Sequence, residues 1–141
     1  MFSVLIVEDD NFYRALLLRH LAATGYHVEV AAGRGAAVRR MLNKHFDVVV
    51  LNIRSVVDVD GLGIIPIIQH VNPNIPIVAM TSDTSLAVQQ AVREKEAFCL
   101  FVKPFDVEEM VLTIKDAART GQRSFDIRAK QSASASNEIN Q

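Results

Sequence analysis

Five short, nearly continuous apolar runs, rich in β-branched residues, constrain this chain more than any other feature; they fall at residues 4–7, 27–31, 48–52, 75–81 and 98–102. A strand buried on both faces has no solvent side on which to alternate, so runs of this kind mark a parallel sheet held between layers of helices. Run length alone does not separate such a strand from a turn of buried helix, but the connecting segments do. Over residues 11–24, Tyr13, Leu16, Leu17 and Leu21 recur at helical spacing, and Gly25 follows where a helix commonly ends in a left-handed residue. Over 106–120, Val107, Met110, Ile114 and Ala117 form a second stripe, with Asp106 as N-cap and Glu109 three residues on. Residues 34–44 and 85–94 are bracketed by small or polar residues that start and stop helices. Between Gly61 and Val71 a helix is expected only if it starts late enough to put Pro66 in its first turn, because an interior proline removes a backbone donor. The apolar run at 64–68 reads as core.

A chain of 141 residues is one domain's worth, and half of it is hydrophobic with a formal net charge of -1. That balance describes an ordinary globule and argues against a broadly basic surface for nucleic acid. No apolar stretch approaches the ~20 residues of a membrane span, and no basic leader precedes the first run, so a cytoplasmic protein is expected. The single cysteine, Cys99, sits within an apolar run and reads as a buried, inert thiol. His20, His27, His45 and His70 are scattered without metal-ligand spacing. Beyond Thr120 the texture changes to Gly121-Gln122-Arg123 and then a serine- and alanine-rich stretch. The expected organisation is therefore one domain over residues 1–120 and a polar, disordered tail or linker stub over 121–141.

In an open parallel sheet, functional groups gather at the carboxyl ends of the strands. Here those ends carry Glu8, Asp9 and Asp10 after the first run, Asn52 at the close of the third, Thr81 and Ser82 at the fourth, and Lys103-Pro104-Phe105 at the fifth. Clustered carboxylates supply the hard oxygen ligands magnesium prefers, a hydroxyl donates to a phosphoryl oxygen, and a lysine neutralises its charge. The set describes an acidic phosphoryl-transfer site. Taken singly, each member has a plainer reading: acids before a helix are caps, Lys103-Pro104 is a strand-ending turn, Thr81 is a satisfied strand hydroxyl. Their weight is collective.

The constellation resembles the receiver domain of bacterial two-component response regulators, over residues 3–120. The motifs that carry the likeness are Val7-Glu8-Asp9-Asp10, Asp47-Val48-Val49-Val50-Leu51-Asn52, Ala79-Met80-Thr81-Ser82 and Val102-Lys103-Pro104-Phe105-Asp106, in that order. The resemblance implies an α/β fold, the flavodoxin-like (βα)5 three-layer sandwich of CheY-like proteins, with parallel strands in the order 2-1-3-4-5. It implies that Glu8 and Asp9 sit at the magnesium-binding acids, Thr81 at the coupling hydroxyl, and Lys103 at the phosphate-sensing lysine. Asn52 falls on the phosphoacceptor. The aromatic residue that in the family reports site occupancy is here Leu100, and Phe101, one residue on, is expected to face the other side of its strand. The loop at 53–61 lacks the family's usual proline and is one residue longer.

A carboxamide is a poor nucleophile and cannot give an acyl phosphate, so phosphotransfer at Asn52 is not expected. Magnesium binding at Glu8, Asp9 and Asn52 is expected to be weak, since only two of three ligand positions are charged. The exchange also removes a repulsion of about 1 to 4 kcal/mol between carboxylates ~4 Å apart, and leaves Lys103 to pair with Asp9 or Glu8. Asp58 and Asp60 read as solvated loop acids and not as surrogate acceptors. The expectation is a non-enzymatic pseudo-receiver that works by protein contact with a histidine kinase or downstream effector. If it self-associates, resemblance points to the fourth helix, fifth strand and fifth helix. The alternative is an ordinary phosphoaccepting receiver in which Asn52 is an engineered change. A small flavin- or nucleotide-binding enzyme is disfavoured, because the turn after the first strand carries three acids where a phosphate needs glycines and backbone donors. No basic helical module follows Thr120, so direct DNA binding is not expected either.

Overall fold

The computed structural model describes residues 1–120 and 125–129. Strands and helices alternate: β1 (Ser3–Val7), α1 (Asn11–Ala22), β2 (His27–Ala31), α2 (Arg34–Asn43), β3 (Val48–Asn52), α3 (Ile65–Val71), β4 (Ile77–Thr81), α4 (Leu86–Glu94), β5 (Cys99–Val102), α5 (Val107–Thr120) and β6 (Ile127–Ala129). Every strand pair is parallel and the sheet runs β2-β1-β3-β4-β5-β6. This is the flavodoxin-like α/β architecture expected from the runs, with one strand more.

Successive side chains of a strand point to opposite faces, and the two cores sort accordingly. Val4, Ile6, Val48, Val50, Val78, Met80, Cys99 and Phe101 pack with Leu17 and Leu21 of α1 and Met110, Ile114 and Ala117 of α5. Leu5, Val7, Val49, Leu51, Ile77, Ala79 and Leu100 pack with Ala37 and Met41 of α2, Ile65 and Ile68 of α3, and Val88 and Val92 of α4. Each such fully buried aliphatic side chain contributes roughly 1.5 to 3 kcal/mol by leaving water. Leu100 and Phe101 thus face opposite layers, as the strand period requires.

Helices α1, α4 and α5 begin where side chains satisfy their first N–H groups. Asp10 accepts from the N–H of Phe12 and Tyr13 at 2.8 and 3.2 Å, Ser85 from that of Val88 at 3.3 Å, and Asp106 from those of Glu108 and Glu109 at 2.9 and 3.4 Å. Pro66 is the second residue of α3, where the missing N–H costs nothing, and a short 3-10 turn (Leu62–Ile64) leads into it. Ile64, Ile65 and Ile68 are buried, which bears out the core reading of that run. α1 stops at Ala22, two residues short of the expected end. There Gly25 takes a φ of +84° and its N–H reaches the Ala22 carbonyl at 3.2 Å.

Two expectations are corrected. The run at 27–31 is not buried on both faces: β2 is a sheet edge, and His27, Val28, Glu29 and Val30 are half-buried. The stretch read as a polar tail is structured where it is described, since residues 127–129 pair with β5 in the register Leu100 to Ile127, Phe101 to Arg128 and Val102 to Ala129. The remainder of that expectation, at 121–124 and 130–141, lies outside the described residues. Among the described residues no helix is long and apolar enough to cross a membrane.

Candidate functional site

Register alone brings the polar strand ends together. Val7 pairs with Leu51, Asn52 with Met80, and Thr81 with Val102, so β1, β3, β4 and β5 end side by side. Glu8, Asp9 and Asn52 line one small cleft there, with Gly33, Arg54, Asp58, Asp60 and Gly61 among the other lining residues. The cleft offers about 20 Å³, room for a water molecule or an ion and far below what a nucleotide or flavin needs.

The lysine is assigned a partner. Lys103 Nζ donates to Glu8 Oε1 at 2.5 Å, and the two side chains are 7% and 0% exposed. The other carboxylate oxygen of Glu8 accepts from the N–H of Asp10 at 3.2 Å. Lys103 also lies over the Tyr13 ring, 4.2 Å from its centroid. Burial, with the charges of Asp10 and Glu8 behind it, raises the Tyr13 hydroxyl above its ordinary pKa, so the phenol stays neutral beside the ion pair. Asp9 is engaged differently: it forms a salt bridge with Arg54 at the open side of the cleft, where both side chains are about half exposed. Asp10 does not join the cleft, because its carboxylate caps α1.

Thr81 is fully buried; its hydroxyl donates to the Ile53 carbonyl at 2.5 Å and accepts from the N–H of Asp83 at 3.0 Å. Leu100 is fully buried on the α2, α3 and α4 side of the sheet. Cys99 is buried on the other side, and desolvation pushes its thiol up to about 12, as an inert core thiol requires.

The reading of Asp58 as a solvated acid is corrected. Its Oδ2 accepts from the N–H of Arg54 at 2.7 Å, and its Oδ1 from those of Asp60 and Gly61 at 3.0 and 3.1 Å. One half-buried carboxylate thus organises the loop between β3 and α3. Gly61 completes that turn: a Cβ there would lie 2.3 Å from the Asn52 carbonyl oxygen and 2.6 Å from Asp58 Oδ2. Sequence reasoning missed Arg54, Tyr13 and Gly61. The Asp-X-Asp-Gly spelling at 58–61 was the available signal for a side-chain-organised turn.

The donor set fits a divalent cation poorly as it stands. Glu8 is committed to Lys103, Asp9 to Arg54, and Asn52 is neutral; among the described residues no group of three His, Cys, Asp or Glu side chains is placed to hold a metal.

A doubly wound parallel sheet with an acid pair, a polar strand end, a hydroxyl and a lysine at its carboxyl edge defines a receiver-type signalling module. The sequence matches the response regulator receiver domain over residues 4–115, and the chain belongs to that family. The transcriptional regulatory protein ZraR of Klebsiella oxytoca is 30% identical over 82% of this chain, and the DNA-binding transcriptional regulator NtrC of Azospirillum brasilense 27% identical over the same share. This chain spans about a quarter of the length of those relatives, 26% and 24%. Among solved structures, a CheY-like receiver domain protein of Methanospirillum hungatei aligns with a TM-score of 0.78 at 22% identity, over 86% of this chain and 96% of that one.

Proposed function

We propose that this chain is a receiver-like signal-transduction module that works by protein contact, without phosphorylation at position 52. Asn52 carries the proposal. It ends β3 inside the acidic cleft, and a carboxamide there offers no carboxylate oxygen to attack phosphorus. In this reading Asn52 occupies the phosphoacceptor position, Glu8 and Asp9 the metal-binding acids, Thr81 and Lys103 the phosphate-coupling positions, and Leu100 the switch position. The Glu8–Lys103 and Asp9–Arg54 pairs support a site whose two metal-position acids are each neutralised by a cation of the chain itself, in which magnesium binds weakly. Its partners are signalling proteins, a histidine kinase or a downstream effector, in the cytoplasm.

The test is incubation with a small phosphodonor and magnesium followed by intact mass. No stable added phosphoryl group is expected; one that is lost in Asn52→Ala would refute the proposal. A second reading is favoured by the full set of Glu8, Asp9, Thr81 and Lys103 around the cleft: a phosphoaccepting receiver silenced by an Asp-to-Asn change. Under it, Asn52→Asp restores phosphorylation and tightens magnesium binding, and failure of both rules it out.

A further inference from the structure

Arg54 and Asp9 meet at the mouth of the cleft, and the backbone is pinned at both ends of their salt bridge. On the Arg54 side, Ile53 is fully buried, its N–H donates to the Met80 carbonyl at 2.7 Å, and its carbonyl accepts from the Thr81 hydroxyl. The next N–H, that of Arg54 itself, donates to Asp58 Oδ2 at 2.7 Å. On the Asp9 side, the Glu8 N–H donates to the Ala31 carbonyl at 3.1 Å, and the Asp10 carboxylate caps α1. An ordinary surface ion pair loses much of its Coulomb gain to the ordering of two free side chains. Here both stems start from fixed points, which cuts that loss and holds the guanidinium on Asp9.

We propose that Arg54 is the resident cation of the cleft: it takes the place of a divalent ion on Asp9 and keeps that ion out whichever residue stands at position 52. The proposal rests on the reading of Glu8 and Asp9 as the metal-position acids. Asp9 already has its cation in Arg54 and Glu8 has another in Lys103, while the cleft between them offers about 20 Å³. An entering ion would have to displace the guanidinium or sit beside it. A unit positive charge ~6 Å from a divalent ion lowers its affinity about ten-fold even at the dielectric of water. Asp58 and Asp60 line the same cleft, so without the guanidinium the acids Glu8, Asp9, Asp58 and Asp60 would be left with Lys103 as their cation. Arg54 thus decides the specificity of an acidic cleft, turning it from a site for a divalent ion into one filled from within.

The test titrates the full chain with Mn2+ and reads the free ion by electron paramagnetic resonance. The parent is expected to bind weakly, and Arg54→Ala about ten-fold more tightly with Asn52 still in place. Arg54→Lys, which keeps the charge, is expected to stay at the parent's affinity. The same step of about ten-fold is expected when Arg54→Ala is added to Asn52→Asp. An Arg54→Ala variant that binds no more tightly than the parent, or an Arg54→Lys variant that matches it in affinity, would overturn the role of Arg54 alone. Asp9→Asn tests the reading beneath it: combined with Arg54→Ala it is expected to abolish the gain. A gain that survives Asp9→Asn overturns the placing of Asp9 at the metal position, and the proposal with it.

Discussion

Replacing Lys103 with methionine keeps most of the aliphatic stem and removes the charge, so it isolates the ion pair with Glu8. The pair is short, 2.5 Å, and nearly dry, with side chains 7% and 0% exposed. At an effective dielectric of ~20 the gross attraction at that separation is about 7 kcal/mol, most of it offset by the cost of taking both ions out of water. Removing one partner leaves that cost without its compensation, which typically destabilises by about 3 to 5 kcal/mol. The lost contact with the Tyr13 ring adds roughly 1 kcal/mol, while the Asp10 N–H still satisfies one oxygen of Glu8. Lys103→Met is therefore expected to lose about 4 kcal/mol in equilibrium urea unfolding, a large share of a typical domain's ~5 to 15 kcal/mol. Adding Glu8→Gln should recover about half of the loss, because it removes the stranded charge. A loss under about 1 kcal/mol, or a double variant that loses the sum of the two single effects, would refute the reasoning.

Gly61→Ala should cost about 1 to 3 kcal/mol and shift the amide signals of Asn52 and Ile53, because the atom its methyl meets is backbone and cannot swing aside. An unchanged unfolding midpoint would mean that the loop between β3 and α3 adapts freely. At the β2 edge, His27, Lys44 and Arg40 hydrogen-bond Glu29 and lower its carboxyl to about 2. An acid depressed on folding stabilises above its unfolded pKa and loses that stabilisation as pH falls from about 4.5 towards 2. Since the network is partly solvated, the loss unique to Glu29 should be only about 1 kcal/mol, read as a Glu29→Gln difference that is present at neutral pH and vanishes in acid. A difference that grows in acid would show the sign to be wrong.

The fold was legible because its signals are local. Apart from the run that became the β2 edge, the β-branched runs report burial on both faces, the stripe from Val107 to Ala117 reports an amphipathic helix, and Asp106 reports its start. The membership of the cleft was legible for the related reason that a parallel sheet delivers its strand ends to one edge. Residue type at those ends already decides that Asn52 brings no carboxylate.

What the runs and caps could not decide was which charge meets which. Lys103 had Glu8 and Asp9 within reach on paper, and the structure gives it the buried Glu8 while Arg54, from a loop, takes Asp9. Such pairings join residues up to 95 positions apart and depend on which side chain is shielded from water, a property of the packed molecule. Asp58 likewise changes from a surface acid to the organiser of its loop because three N–H groups converge on it only once β3 has ended beside them. β6 is the plainest case. A three-residue strand is too short to carry a periodic signal, so a segment that reads as polar tail becomes sheet only where β5 offers an open edge and α4 and α5 hold its two anchors, Phe125 and Arg128.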